Sequence, residues 1–201
     1  MSDTASAGVQ AVGRPSAARV VTEVTSPAVV NTVIPIVIGL HAGSVLWGVL
    51  VSLCSGLVPF MGIVAGMRAR RLSDHHVTDR SQRPLVLVSI LVLLTAGFMV
   101  ELTGHAPQDI VAVTAAMLAT LIALALVTVA LRWKISVHAA VAAGSATMLG
   151  QVLGAWWFLT LLAVPVVMWS RVQVEEHSGR QVCLGAVTGL VVAGVTFALV
   201  R

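Results

Sequence analysis

Charge is what this chain has least of: 10% of its 201 residues are Asp, Glu, Lys or Arg, where a soluble domain carries about 25%. That shortage excludes a water-soluble globular domain. Tyrosine is absent, and a single lysine, Lys134, stands against eleven arginines, a bias of GC-rich genomes that carries no mechanism. Cysteine is nearly absent as well. Cys54 and Cys183 both fall inside apolar runs, without metal-ligand spacing, and read as packing residues. What remains is apolar: 58% of the residues are hydrophobic and the mean hydropathy is +0.98. The net charge of +4 and pI near 10.5 would suggest nucleic acid in a soluble chain. Here the arginines flank apolar spans, so they report membrane topology and no nucleic-acid partner is expected.

Residues 1–24 are rich in Ser, Ala, Thr and Gly and hold no apolar run long enough for a signal-peptide core. They read as a mostly disordered cytosolic tail, and residues 25–201 as one transmembrane domain. About twenty apolar residues cross a bilayer. On that ruler the chain divides into an all-α polytopic bundle of about seven spans, near 26–42, 45–67, 84–102, 109–131, 137–153, 155–170 and 181–200. Pro84 suits a first helical turn, where its missing N–H is no loss. The fifth span is built from Ala139, Ala140, Ala142, Ala143, Gly144 and Ala146, small residues that let helices approach closely. Trp133, Trp156, Trp157 and Trp169 lie at span ends, where interfacial tryptophans belong.

Three polar islands interrupt the apolar chain: Asp74 to Pro84, Arg132 to His138, and Ser170 to Gln181. Charges between hydrophobic spans are expensive, so a functional reading is the default. Two spans separate each island from the next, which brings all three to one face. That face also carries nine of the twelve Lys and Arg residues, and Arg14 and Arg19 join it. By the positive-inside rule it is cytosolic, in a multi-pass protein of a bacterial cell membrane. His41, Glu101 and His105 fall on the opposite face and have no expected share in the site.

Within the islands the chain reads His76-x6-Arg83-Pro84, then Ile135-Ser136-Val137-His138, then Ser170-Arg171-x5-His177-x3-Gln181. Order and spacing resemble the three-part signature of the type-2 phosphatidic acid phosphatase and haloperoxidase superfamily: Lys-x6-Arg-Pro, Pro-Ser-Gly-His, and Ser-Arg-x5-His-x3-Asp. The resemblance covers roughly residues 70–195. It implies a six-helix phosphatase-type core. It also implies that His177 is the nucleophile that becomes phosphohistidine, as covalent catalysis by histidine allows. His138 would protonate the leaving alkoxide and then activate water. His76, Arg83, Ser136 and Arg171 would cradle the phosphate, with Gln181 beside the nucleophile and Asp79, Glu175 and Ser170 as outer partners. No metal or other cofactor is implied.

The residues carry physical content of their own. Positions 76 and 83 are two helical turns apart and can face one ligand. His177 and Gln181 are one turn apart. Ser136 precedes a helix start, where free N–H groups favour phosphate. Arg83 and Arg171 can bind phosphate oxygens through paired donors. Three positions depart from the signature. His76 replaces a lysine and is not fully charged at neutral pH. Val137 replaces a glycine and restricts backbone approach. Gln181 replaces an aspartate, and it can accept a hydrogen bond from His177 but brings no charge.

Two other classes fail on what is missing. Glu175-Glu176-x3-Arg180 matches the opening motif of intramembrane prenyl-protein endopeptidases, but no histidine follows Arg180. No Asp-x3-Asp pair exists to hold magnesium diphosphate as in aspartate-rich prenyl transferases. The expected activity is hydrolysis of a lipid phosphate, a prenyl phosphate or diphosphate first and phosphatidate second, with the lipid tail left in the bilayer. The alternatives are a relative that cyclises or transfers prenyl diphosphates, a degenerate binding protein, and a transporter or structural membrane protein.

Overall fold

Inside a bilayer the backbone has no water to bond, so apolar runs satisfy their own N–H and C=O groups by coiling into helices. The computed structural model describes residues 16–69, 83–130 and 133–201, and every regular element among them is helical. In chain order these are α1 (Ala17–Val24), α2 (Pro27–His41), α3 (Val45–Arg68), α4 (Arg83–Thr103), α5 (Gln108–Val129), α6 (Val137–Leu153), α7 (Ala155–Gln173) and α8 (Gly179–Val200). Five of them (α3, α4, α5, α7 and α8) are long and apolar enough to cross a membrane. The pair α1–α2, bent by 47° at Thr25-Ser26, makes a sixth if read as one span. The expected all-α membrane bundle is what forms.

The remaining expected span is α6, and its environment explains its length. Its 17 residues reach about 26 Å, short of a hydrocarbon core of about 30 Å. Most of α6 is buried, with α2, α7 and α8 packed around it, so it faces helices rather than lipid and has no thickness to match. α7 meets the span length differently. Its opening turns, Ala155–Leu162, are 3₁₀-wound and rise about 2 Å per residue. Nineteen residues therefore cover roughly 32 Å, with Trp156 exposed at the far end.

Glycines bring α6 and α8 together. A Cβ at Gly189 would lie 1.9 Å from the Ala140 carbonyl oxygen, and one at Gly185 2.4 Å from that of Ser136. No side chain fits at either place, so the two backbones touch. At the top of this contact Ser136 N–H donates to the Gln181 carbonyl, at 3.3 Å. The second and third polar islands are thereby joined at their helix starts. The other end of the bundle is tied by Arg201, whose Nε lies 2.8 Å from an Asp109 oxygen and whose Nη1 donates to the Gln151 carbonyl.

The expected disordered tail needs correction over its last residues. Residues 1–15 lie outside those described, but Ala17–Val24 form α1, capped by the Ser16 hydroxyl, which accepts from Arg19 N–H at 3.4 Å. The helix is amphipathic: Ala18 and Thr22 are buried and it packs on α7, while Val20 and Val24 stay exposed. Thr22 Oγ1 donates to Ser170 Oγ at 3.2 Å. A polar, Ala-rich octet orders because one face docks and its first turn is capped.

Candidate functional site

The starts of α6 and α8 and the ends of α1 and α7 meet on one side of the bundle, and a cavity of about 520 Å³ opens there. His138, Arg171 and His177 all line it, and all three side chains are buried. From this polar end the wall turns apolar through Leu94, Met117, Leu121 and Met148. Met148 is ten residues beyond His138 on α6, roughly 15 Å deeper along the helix axis. Val29, Val33 and Leu57 belong to the wall and are exposed. The walls at this level come from α2 and α3, which are closely packed on one another: a Cβ at Gly48 would lie 2.5 Å from the Pro35 carbonyl oxygen.

Each polar residue is placed by local structure. His138 is the second residue of α6, between the glycine contacts at Ser136 and Ala140. Ser136 is the N-cap of that helix, and its hydroxyl accepts from Ala139 N–H at 3.4 Å. It is fully buried and stands outside the cavity wall. The expected phosphate ligand is thus occupied as a cap, while Ile135 and Val137 on either side of it line the cavity. Ser170 is spent as well: its hydroxyl donates to the Val167 carbonyl at 2.8 Å and accepts from Thr22.

After α7 the chain reverses through Glu175, whose φ of 58° is left-handed and uncommon for a residue with a Cβ. The turn folds Glu176 back onto Arg171, and its carboxylate accepts from Nη2 in an ion pair. Arg171 is 1% exposed, and its Nε and Nη1 find no partner among the described residues. A buried guanidinium with open donors is costly unless an anion completes it. Glu175 itself is exposed and borders a separate polar crevice between α1 and the 173–176 turn.

Gln181 fixes the protonation geometry of His177. Its Oε1 accepts from Ser178 N–H at 3.1 Å and lies 3.2 Å from His177 Nδ1. A backbone N–H can only donate, so the atom facing it is the amide oxygen. The same oxygen can only accept from His177, which puts the proton on Nδ1 and the lone pair on Nε2. Gln181 does the orienting work of a carboxylate without supplying its charge. It stands behind His177 and outside the cavity wall.

Three of the residues singled out in the sequence are therefore brought together: His138, Arg171 and His177. Gln181 supports one of them, while Ser136, Ser170 and Glu175 lie outside the cavity wall. His76 and Asp79 fall outside the described residues. Arg83 begins α4, and its side chain is not among those described. Sequence reasoning missed Glu23, which borders both the cavity and the polar crevice from α1. It also assigned Glu176 no contact with Arg171. The signal for Glu23 was the Ser16 cap before an Ala/Val stripe; Glu176 had none, because the left-handed turn breaks helical spacing. No family model, curated protein or solved structure matches this chain.

Proposed function

We propose that this chain is an integral membrane phosphatase that hydrolyses a lipid phosphate, a prenyl phosphate or diphosphate before phosphatidate, on the cytosolic side of a bacterial cell membrane. The observation that carries the reading is the convergence of two buried histidines and a buried, incompletely paired arginine on one cavity with an apolar extension. Such a cavity suits an amphiphile: the phosphate meets Arg171, and the chain lies along Leu94, Met117 and Met148. The resemblance to the phosphatidic acid phosphatase superfamily assigns the roles.

In the first step the Nε2 lone pair of His177 attacks phosphorus and the bond to the leaving oxygen breaks. His138, entering the step as imidazolium, gives that oxygen its proton, so an alcohol leaves, or a prenyl monophosphate when the substrate is a diphosphate. Arg171 faces the charge on the phosphoryl oxygens, as donors at developing charge do in phosphoryl transfer. In the second step neutral His138 takes a proton from water, the hydroxide attacks phosphorus, and the N–P bond breaks. Inorganic phosphate and His177 with its Nε2 lone pair are regenerated. Through both steps His177 Nδ1 keeps its proton and donates it in the hydrogen bond to Gln181 Oε1. His76 and Arg83 complete the cradle by resemblance.

A second reading, a lipid-phosphate binding protein without turnover, is favoured by one observation: the group facing His177 Nδ1 is the uncharged amide of Gln181. Phosphate release from the purified chain in detergent separates the two. The phosphatase reading expects release from a prenyl diphosphate, abolished by His177→Ala and reduced at least about a hundredfold by His138→Ala. Binding without release in the unaltered protein selects the second reading.

A further inference from the structure

The ion pair between Glu176 and Arg171 is unexpected in a site meant for phosphate. From the adjoining polar crevice, which Glu176 borders, the carboxylate occupies Nη2 of Arg171, the arginine that lines the cavity among the described residues. The arrangement is built, since it depends on a left-handed residue. Glu175 at φ 58° is sterically disfavoured, and that turn is what returns Glu176 to a residue five positions earlier. Arg171 has no freedom to move away, because it sits within α7 and is 1% exposed. Its partner is more accessible: the Glu176 side chain keeps 20% of its surface. The carboxylate is therefore the movable half of the pair.

We propose that Glu176 is an affinity-setting residue, a tethered carboxylate that competes with phosphate for Arg171. This rests on the phosphate-binding reading of the cavity. A phosphate must displace the carboxylate, or share the guanidinium with it, to reach full contact with Arg171. The headgroup alone then binds weakly, and occupancy depends on burial of an apolar chain along Met117 and Met148, worth about 25 cal/mol per Å² removed from water. Inorganic phosphate, the product with no chain, has nothing to offset the competition and leaves. The effect on chain-bearing and chain-free phosphates is the same factor, but only the former keep useful affinity.

The test uses the full chain in detergent, with radiolabelled inorganic phosphate and a single-chain alkyl phosphate as probes in equilibrium dialysis. Glu176→Gln keeps side-chain length and can still accept from Nη2, so the turn is retained, but the competing charge is gone. The expected result is binding of both probes at least tenfold tighter in Glu176→Gln, with Glu176→Asp close to the unaltered protein. A purely structural role for the pair would weaken binding when Glu176 is changed, so unchanged or weaker phosphate binding in Glu176→Gln overturns the proposal. The broader site reading fails separately, if the alkyl phosphate binds the unaltered protein and Arg171→Ala equally well.

Discussion

At the scale of single residues, the site turns on which hydrogen bonds are already committed. The amide oxygen of Gln181, held by Ser178 N–H, can only accept from His177, so an uncharged group puts the proton on Nδ1, the tautomer that the proposed attack through Nε2 requires. What the glutamine could not do is stabilise the imidazolium that the proposed phosphorylation would form. Gln181→Glu keeps both contacts and adds the charge. It is expected to raise the rate of phosphate release at least about tenfold, part of the roughly 10⁴ that loss of a triad aspartate costs where the tautomer is lost too. A rate equal to or below that of the unaltered protein would show that charge behind His177 does not limit this reaction. The pairing of residues 177 and 181 was legible from their one-turn spacing. The commitment of Ser136 to its own helix start was not, because a cap and a phosphate ligand occupy the same position in a sequence.

At the scale of elements, the contact between α6 and α8 is what turns two distant islands into one site. Sequence pattern found the small-residue face of α6, since Ala139 to Ala146 has few other uses. It did not find the matching Gly185 and Gly189, which sit in an ordinary apolar run and acquire meaning only when α8 lies against α6. Gly189→Val would push its side chain into the Ala140 carbonyl, 1.9 Å from the Cβ position. Overpacking of this kind costs typically about 1–3 kcal/mol. The expected outcome is a lowered melting temperature and phosphate release reduced more than tenfold, because Ser136 and Gln181 separate with the helices. Full activity in Gly189→Val would mean that the islands are held by something else. The helix α1 escaped the sequence reading for a different reason. Eight residues with Ala and Val broken by Arg19, Thr22 and Glu23 give no long apolar run, and their order comes from docking on α7 through Ala18 and Thr22.

At the scale of the whole molecule, the helical segments were legible within a few residues, because apolar runs coil into helices in a bilayer; the expected seven spans come down, among the described residues, to five membrane-length helices, six with the bent pair α1–α2, since α6 is too short. Their winding was not: the 3₁₀ opening of α7 and the π turns Leu53–Leu57 and Gly189–Ala193 follow from packing, which no local pattern reports. The sidedness of the bundle is an expectation from the span count and the arginine distribution of the sequence, and it can be tested in intact cells. In a background with Cys54 and Cys183 replaced, Ser178→Cys should react with an impermeant maleimide only after the cytosolic side is opened, and His105→Cys before it. The reverse labelling would move the site to the outer face, while labelling of both from one side would break the span count.

The central claim is chemical: His177 carries the phosphoryl group between substrate and water. Rapid quenching of the purified chain with a prenyl diphosphate labelled in its terminal phosphate, followed by proteolysis under alkaline conditions and mass spectrometry, asks for that intermediate directly. The account predicts a phosphoryl group on the peptide containing His177, lost on chase with unlabelled substrate and accumulating when His138 is replaced by alanine. Turnover with no phosphoryl adduct on that histidine, or with the adduct on another residue, would contradict it.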